Sequence, residues 1–296
     1  MKTLFKYLFL TVFLATAFIL VSYILPYFHI PQGANSEIFP SGWIAAAVNS
    51  AWICLIILYI SKKTDKTNGG VMLRLSFSLF FIYAFLPLAE VLLYTHRFFV
   101  VTKTDVLWMM IAAGVPVVLA VLLGVWLFRN RFTPSRYSRS QKSYTTGKWT
   151  AKLFFSGLLY LIIYYAVNHF FAWQLEEIRV FYTGRAERAG LVPRLLEIWQ
   201  TQPSVFLFQF AKGVAFGIFI LPVVDLFKNR PAALQTAVIL IFETAALHLT
   251  IQGVLLPTGI RTVHLLETAA TLLLFAIAAG KLFKETKGND SNYKYY

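Results

Sequence analysis

A chain of 296 residues with 58% hydrophobic and 14% charged residues, and a mean hydropathy of +0.65, is too apolar for a soluble domain, where about a quarter of residues carry charge. A formal charge of +14 would suit nucleic acid in a soluble protein, but here the basic residues alternate with apolar runs, so the expected partner is the lipid bilayer and not nucleic acid. The single cysteine, Cys54, lies inside an apolar run and leaves no disulfide framework, CxxC redox pair or cysteine metal site.

The sequence predicts an all-α, polytopic integral membrane protein, one transmembrane domain over 1–296. Eight spans are expected at about 5–28, 40–61, 71–94, 105–128, 152–174, 203–227, 233–252 and 262–284, each about 20 residues or longer and so able to cross a hydrocarbon core. In the first, Lys2, Lys6 and Ala15-Thr16-Ala17 imitate a cleavable signal peptide, while apolarity continuing from Phe18 through Leu25 favours a retained helix. Most of the 27 basic residues fall at the N-terminus, in 62–74, 129–152 and 226–232, and in the tail. By the positive-inside rule those segments, and with them both termini, are cytoplasmic, which suits a plasma (inner) membrane. Trp43, Trp108 and Trp173 fall at expected outer boundaries, Trp126 and Trp149 at inner ones, as an aromatic belt requires.

The linker 129–152 is basic and has no acid. It is expected to rest against anionic headgroups or to dock a protein partner, and it divides the chain into two four-helix halves. The segment 175–202 is the longest on the outer side. Leu191, Leu195, Ile198 and Trp199 recur there at helical spacing, with Arg194 and Glu197 pointing elsewhere, the pattern of a short interfacial helix. Residues 285–296 are read as a flexible cytoplasmic tail.

Ionisable side chains within a span cost several kcal/mol, about 2.5 to 3.5 at the helix centre, and normally face the bundle interior or an aqueous cavity. Those of this chain lie toward the outer side. Lys212 and Glu243 fall at matching depth on consecutive spans and are expected to form a buried ion pair, with Gly213 and Gly217 in a GxxxG pattern that admits a close neighbouring backbone. Above them a polar pocket is expected from Glu90, His169, His248, His264 and Glu267, rimmed by Arg179 and Arg261. In it His264 and Glu267, one turn apart, form the catalytic core, His169 and His248 add acid/base capacity, and Glu90 orients them. The same His264, Glu267, His169 and His248 are a candidate ligand set for a divalent metal such as zinc.

Known motifs do not fit. Glu176-Glu177 is followed by Phe181 where the prenyl-protease-like intramembrane proteases need arginine, and Cys54 has no basic partner of the kind exosortase-like transpeptidases need. GxSxG, Walker and GxGxxG patterns are absent. The leading reading is a membrane-embedded enzyme acting on a small or amphiphilic molecule. The alternatives are a proton-coupled small-molecule transporter and a non-catalytic membrane subunit.

Overall fold

The structure, a computed structural model, describes residues 1–24, 39–64, 66–93, 102–129, 146–227, 230–250 and 258–284. Most of the basic linker and the C-terminal tail lie outside the described residues. Eleven α-helices follow in order: α1 (Lys2–Ile24), α2 (Phe39–Lys63), α3 (Asn68–Leu79), α4 (Leu86–Leu93), α5 (Lys103–Phe128), α6 (Thr146–Phe170), α7 (Glu176–Thr183), α8 (Leu191–Thr201), α9 (Pro203–Leu226), α10 (Pro231–Leu247) and α11 (Thr258–Phe283). Among the described residues there are no strands. Among the described residues eight stretches are long and apolar enough to cross a membrane: α1, α2, α3 with α4, α5, α6, α9, α10 and α11. This is the make-up of a multi-pass membrane protein.

Helices α3 and α4 are one rod interrupted by a π-helical turn, Phe80–Phe85. Pro87 has no N–H to donate and its ring crowds the preceding turn, so the helix relaxes there, and Leu86 donates to the Phe81 carbonyl five residues back. The widened turn changes the azimuth of everything beyond it, including Glu90.

The helices pack as two groups, α1 to α5 and α6 with α9 to α11, joined along a seam where α2 and the π turn meet α10 and where α3 meets α9. One apolar core runs through both groups, from Leu10 and Leu14 to Phe242 and Phe275. Side chains also cross the seam to backbone carbonyls: Trp52 donates to Leu240 (2.9 Å), Ser78 to Phe219 (2.6 Å) and Thr64 to Leu226 (3.1 Å). Within the second group α6 and α9 approach most closely at small residues. A Cβ on Gly213 would lie 2.5 Å from the Tyr160 Cβ and 2.9 Å from the Ser156 carbonyl oxygen, whose own hydroxyl donates to the Gly213 carbonyl at 2.9 Å.

At one end of the bundle, the basic end, cations close the chain's loose carbonyls. Lys6 donates to Leu127 (2.6 Å), Arg129 to Lys66 and Arg230 to Lys63. Helix C-termini carry partial negative charge and unpaired carbonyls, so this placement satisfies both demands. Asp225 anchors Arg74 (2.9 Å) and Lys66 (3.5 Å) at the same end.

At the opposite, capped end, α7 and α8 lie over the tips of α6 and α11. Gly184, at φ +68°, ends α7 in the left-handed conformation that a residue with a Cβ resists. Arg179 turns inward and donates to the carbonyls of Ala186 (2.7 Å), Trp173 (3.0 Å) and Gln174 (2.9 Å). Arg194 stacks on the Trp173 ring, 3.2 Å from its centroid, and burial lowers its guanidinium to about 10, so it stays charged at neutral pH. Two expectations change here. Arg194 points into the protein, with Val192, Leu196 and Trp199 on the exposed side of α8, and Trp173 is the buried platform for Arg194, not an exposed belt residue. Trp43, Trp108 and Trp126 are exposed.

Candidate functional site at the capped end

The opening of α11 carries His264 and Glu267 three residues apart, hence on one face. His264 Nδ1 lies 3.0 Å from a Glu267 carboxylate oxygen, and the other Glu267 oxygen accepts from the Asn168 amide on α6 at 2.5 Å. Across the imidazole, His264 Nε2 meets the Tyr182 hydroxyl of α7 at 2.5 Å. With the ring proton on Nδ1 every group is satisfied: Tyr182 donates to His264, His264 to Glu267, and Asn168 to Glu267. Exposure falls along this chain. Tyr182 is 44% exposed, the His264 side chain 20% and the Glu267 side chain 4%. A hydroxyl, a base bonded to it and a carboxylate holding the base is the arrangement that activates an oxygen nucleophile or passes a proton to a leaving group.

A second polar cluster lies deeper. Lys212 on α9 donates to Glu90 on α4 at 2.6 Å, and Gln209, one turn before Lys212, donates to the other Glu90 oxygen at 3.3 Å. The Lys212 ammonium also sits 5.9 Å from the Tyr160 ring centroid. A cavity of about 60 Å³ adjoins the pair, bounded by Glu90, Lys212, Tyr160 and Thr268, with room for a few waters and none for a lipid. Glu90 lies within electrostatic reach of His264, and Tyr160 within reach of both Glu90 and Glu267, so the clusters are neighbours.

The expected Lys212–Glu243 pair is therefore replaced by Lys212–Glu90. Ala245 of α10 and Leu249 just beyond its end face the cavity beside Lys212, and Glu243, two residues before Ala245, is turned about 200° around the helix from it. Its Oε1 has no hydrogen-bond partner among the described residues. The long lysine stem instead climbs to Glu90. Depth along a span does not by itself fix a pair; the helix azimuth turns Glu243 away from Lys212.

The five residues expected to converge divide. Glu267 and His264 meet, and Glu90 belongs to the neighbouring cluster. His169 is buried one position past Asn168, about 100° around α6, and its Nδ1 has no partner among the described residues. His248 begins a short 3₁₀ turn, His248–Thr250, and packs edge-on against Tyr83 with ring centroids 5.0 Å apart. Among the described residues no three His, Cys, Asp or Glu side chains gather as metal ligands. The zinc set His264, Glu267, His169 and His248 is thus not assembled.

Of the two expected rim arginines, Arg179 is a buried latch. Arg261, one turn before His264, is half-buried and makes no hydrogen bond or ion pair among the described residues. The group absent from the sequence reading is Tyr182. It lies between spans, and only the short amphipathic run ending at Gly184 marks its helix. Gln209 stands one turn before Lys212 and Asn168 one position before His169, but spacing alone assigns neither a partner, and no sequence pattern marks Tyr160. No protein family, curated protein or solved structure matches the chain.

Proposed function

We propose that the chain is a membrane-embedded enzyme whose site opens on the extracytoplasmic face, with the basic end and both termini in the cytoplasm. The orientation is supported by the concentration of Lys and Arg at the basic end. The observation that carries the function is the Tyr182–His264–Glu267 chain with its one exposed hydroxyl. Tyr182 faces the substrate, His264 takes and returns its proton, and Glu267, steadied by Asn168, holds the imidazole in the productive tautomer. The substrate is amphiphilic, because the reacting hydroxyl sits where apolar side chains give way to charged ones.

The test is to place the purified protein in nanodiscs made from the total lipid of its expression host and to compare lipid masses over time for wild type, Tyr182→Phe and His264→Gln. Products that appear only with wild type support the reading. Three identical profiles overturn it.

One observation favours a second reading, proton-coupled transport: the Glu90–Lys212 pair sits beside a small cavity at the seam between the two helix groups, where rocking motions would open and close it. In that case substrate-dependent acidification of proteoliposomes would occur and would be lost in Lys212→Met. Its absence across the lipids and small solutes tried would remove this reading.

A further inference from the structure

The cations of the capped end have unequal occupations. Arg179 is held by three backbone carbonyls, Arg194 is stacked on Trp173, and Arg185 lies 3.7 Å from Glu197. Arg261 has no such occupation among the described residues, yet it is half-buried and stands one helical turn from His264. A partly desolvated guanidinium without a partner is unfavourable unless an anion completes it, and its planar fork suits a phosphate or carboxylate best.

The surroundings are apolar. Val180 and Phe181 are exposed beside Tyr182, and the Phe181 ring packs edge-on against the Tyr182 ring, centroids 5.0 Å apart. Along α8, Val192, Leu196 and Trp199 recur at i, i+4 and i+7 and are all exposed, so this helix turns an apolar stripe outward as a helix lying in a membrane interface does. A cation one helical turn from the histidine that holds the Tyr182 hydroxyl, with exposed apolar side chains on the neighbouring cap helices, matches one molecular shape, an anionic head on an apolar tail.

We infer that Arg261 is the headgroup receptor of the Tyr182 site and that the substrate is an anionic amphiphile drawn from the adjoining membrane leaflet. This rests on Tyr182 being the reacting group, and two separate readouts keep the two claims apart. The first is retention of phosphatidylglycerol over phosphatidylcholine by the intact protein in native mass spectrometry, for wild type, Arg261→Gln and Arg261→Lys. Arg261 makes no hydrogen bond or ion pair among the described residues whose loss would unfold the chain. Wild type should prefer phosphatidylglycerol, Arg261→Gln should lose about tenfold of that preference, and Arg261→Lys should restore part of it, keeping the charge but not the fork. Equal retention by wild type and Arg261→Gln overturns the assignment.

The second readout is labelling of Tyr182 by an aryl sulfonyl fluoride in phosphatidylcholine nanodiscs. The phenol oxygen bonds to sulfur, fluoride leaves, and the phenol proton passes to His264. Phosphatidylglycerol in the disc should protect Tyr182 and soluble glycerol phosphate should not. Equal protection by the soluble headgroup overturns the amphiphile and leaves a free phosphate as ligand. A phosphatidylglycerol preference that depends on Arg261, with Tyr182 unlabelled throughout, supports the headgroup site and counts against Tyr182 as the reacting group.

Discussion

The two polar clusters near the capped end are made of similar side chains and are suited to different work. Glu90, Lys212 and Gln209 bridge the two helix groups, with an ammonium and a carboxylate 2.6 Å apart and the lysine side chain only 11% exposed. Such a pair ties α4 to α9. Tyr182, His264, Glu267 and Asn168 all belong to the second helix group and its cap, and they include an imidazole bonded on both sides and a hydroxyl that reaches the surface. Chemistry needs an exchangeable proton and access for a substrate, and on the proposed reading the shallow cluster supplies both. On that reading the costliest charges within the spans bear mainly on assembly, and the less costly ones next to them on reaction.

The contrast is sharpest in stability. Lys212→Met leaves Glu90 without its counter-ion, and should cost about 3 kcal/mol, the lower end for a broken buried pair because the Glu90 side chain is 33% exposed. Denaturant unfolding in detergent micelles reads this directly. Adding Glu90→Gln should recover much of the loss, whereas adding Glu243→Gln should simply add its own small effect. Strong coupling of Lys212 to Glu243 would return the pair to the partner expected from depth alone. Gly213→Ala comes next, at about 2 kcal/mol, since its Cβ would meet Tyr160 and the Ser156 carbonyl at an α6–α9 crossing that cannot widen without moving Lys212. A thermal shift within error of wild type would show that the crossing yields.

Those two positions also show what was legible beforehand. Eight apolar runs follow from bilayer thickness and backbone hydrogen bonding, and the clustering of Lys and Arg at one end from the positive-inside rule; both act on sequence alone, and eight stretches of that kind are present among the described residues. GxxxG at Gly213 likewise marks a close crossing, because a missing Cβ has one obvious use. Pairing was harder. Residue number along a span gives depth, but contact also needs the helix's rotation and the identity of its neighbour. The π turn before Glu90 alters the first, and the packing of α3 and the π turn against α9 decides the second. His264 and Glu267 were legible because i and i+3 share a face. Tyr182 was not, since its partner lies 82 residues away and its helix belongs to no span.

The cap gives the next smaller effect. Arg179→Met removes charge-assisted donors from the Ala186, Trp173 and Gln174 carbonyls and should cost about 2 kcal/mol, felt locally. Limited proteolysis at 184–190 should quicken while the bundle's own unfolding midpoint holds. Arg185→Gln, which loses only an exposed contact of 3.7 Å to Glu197, should leave the cleavage rate unchanged.

Smallest in stability, and most telling for the comparison, is His264→Gln. Glutamine can still accept from Tyr182 or donate to Glu267, and the position is partly exposed, so the unfolding midpoint should move by less than about 0.5 kcal/mol equivalent. Its amide, however, cannot take a proton. Labelling of Tyr182 by the sulfonyl fluoride should fall about a hundredfold, the loss expected when a positioned general base is removed. Lys212→Met, assayed at a temperature where it remains folded, should label nearly as fast as wild type. If instead His264→Gln labels like wild type, or Lys212→Met is the variant that stops labelling, the roles of the two clusters are reversed, and the proton chemistry lies at the seam.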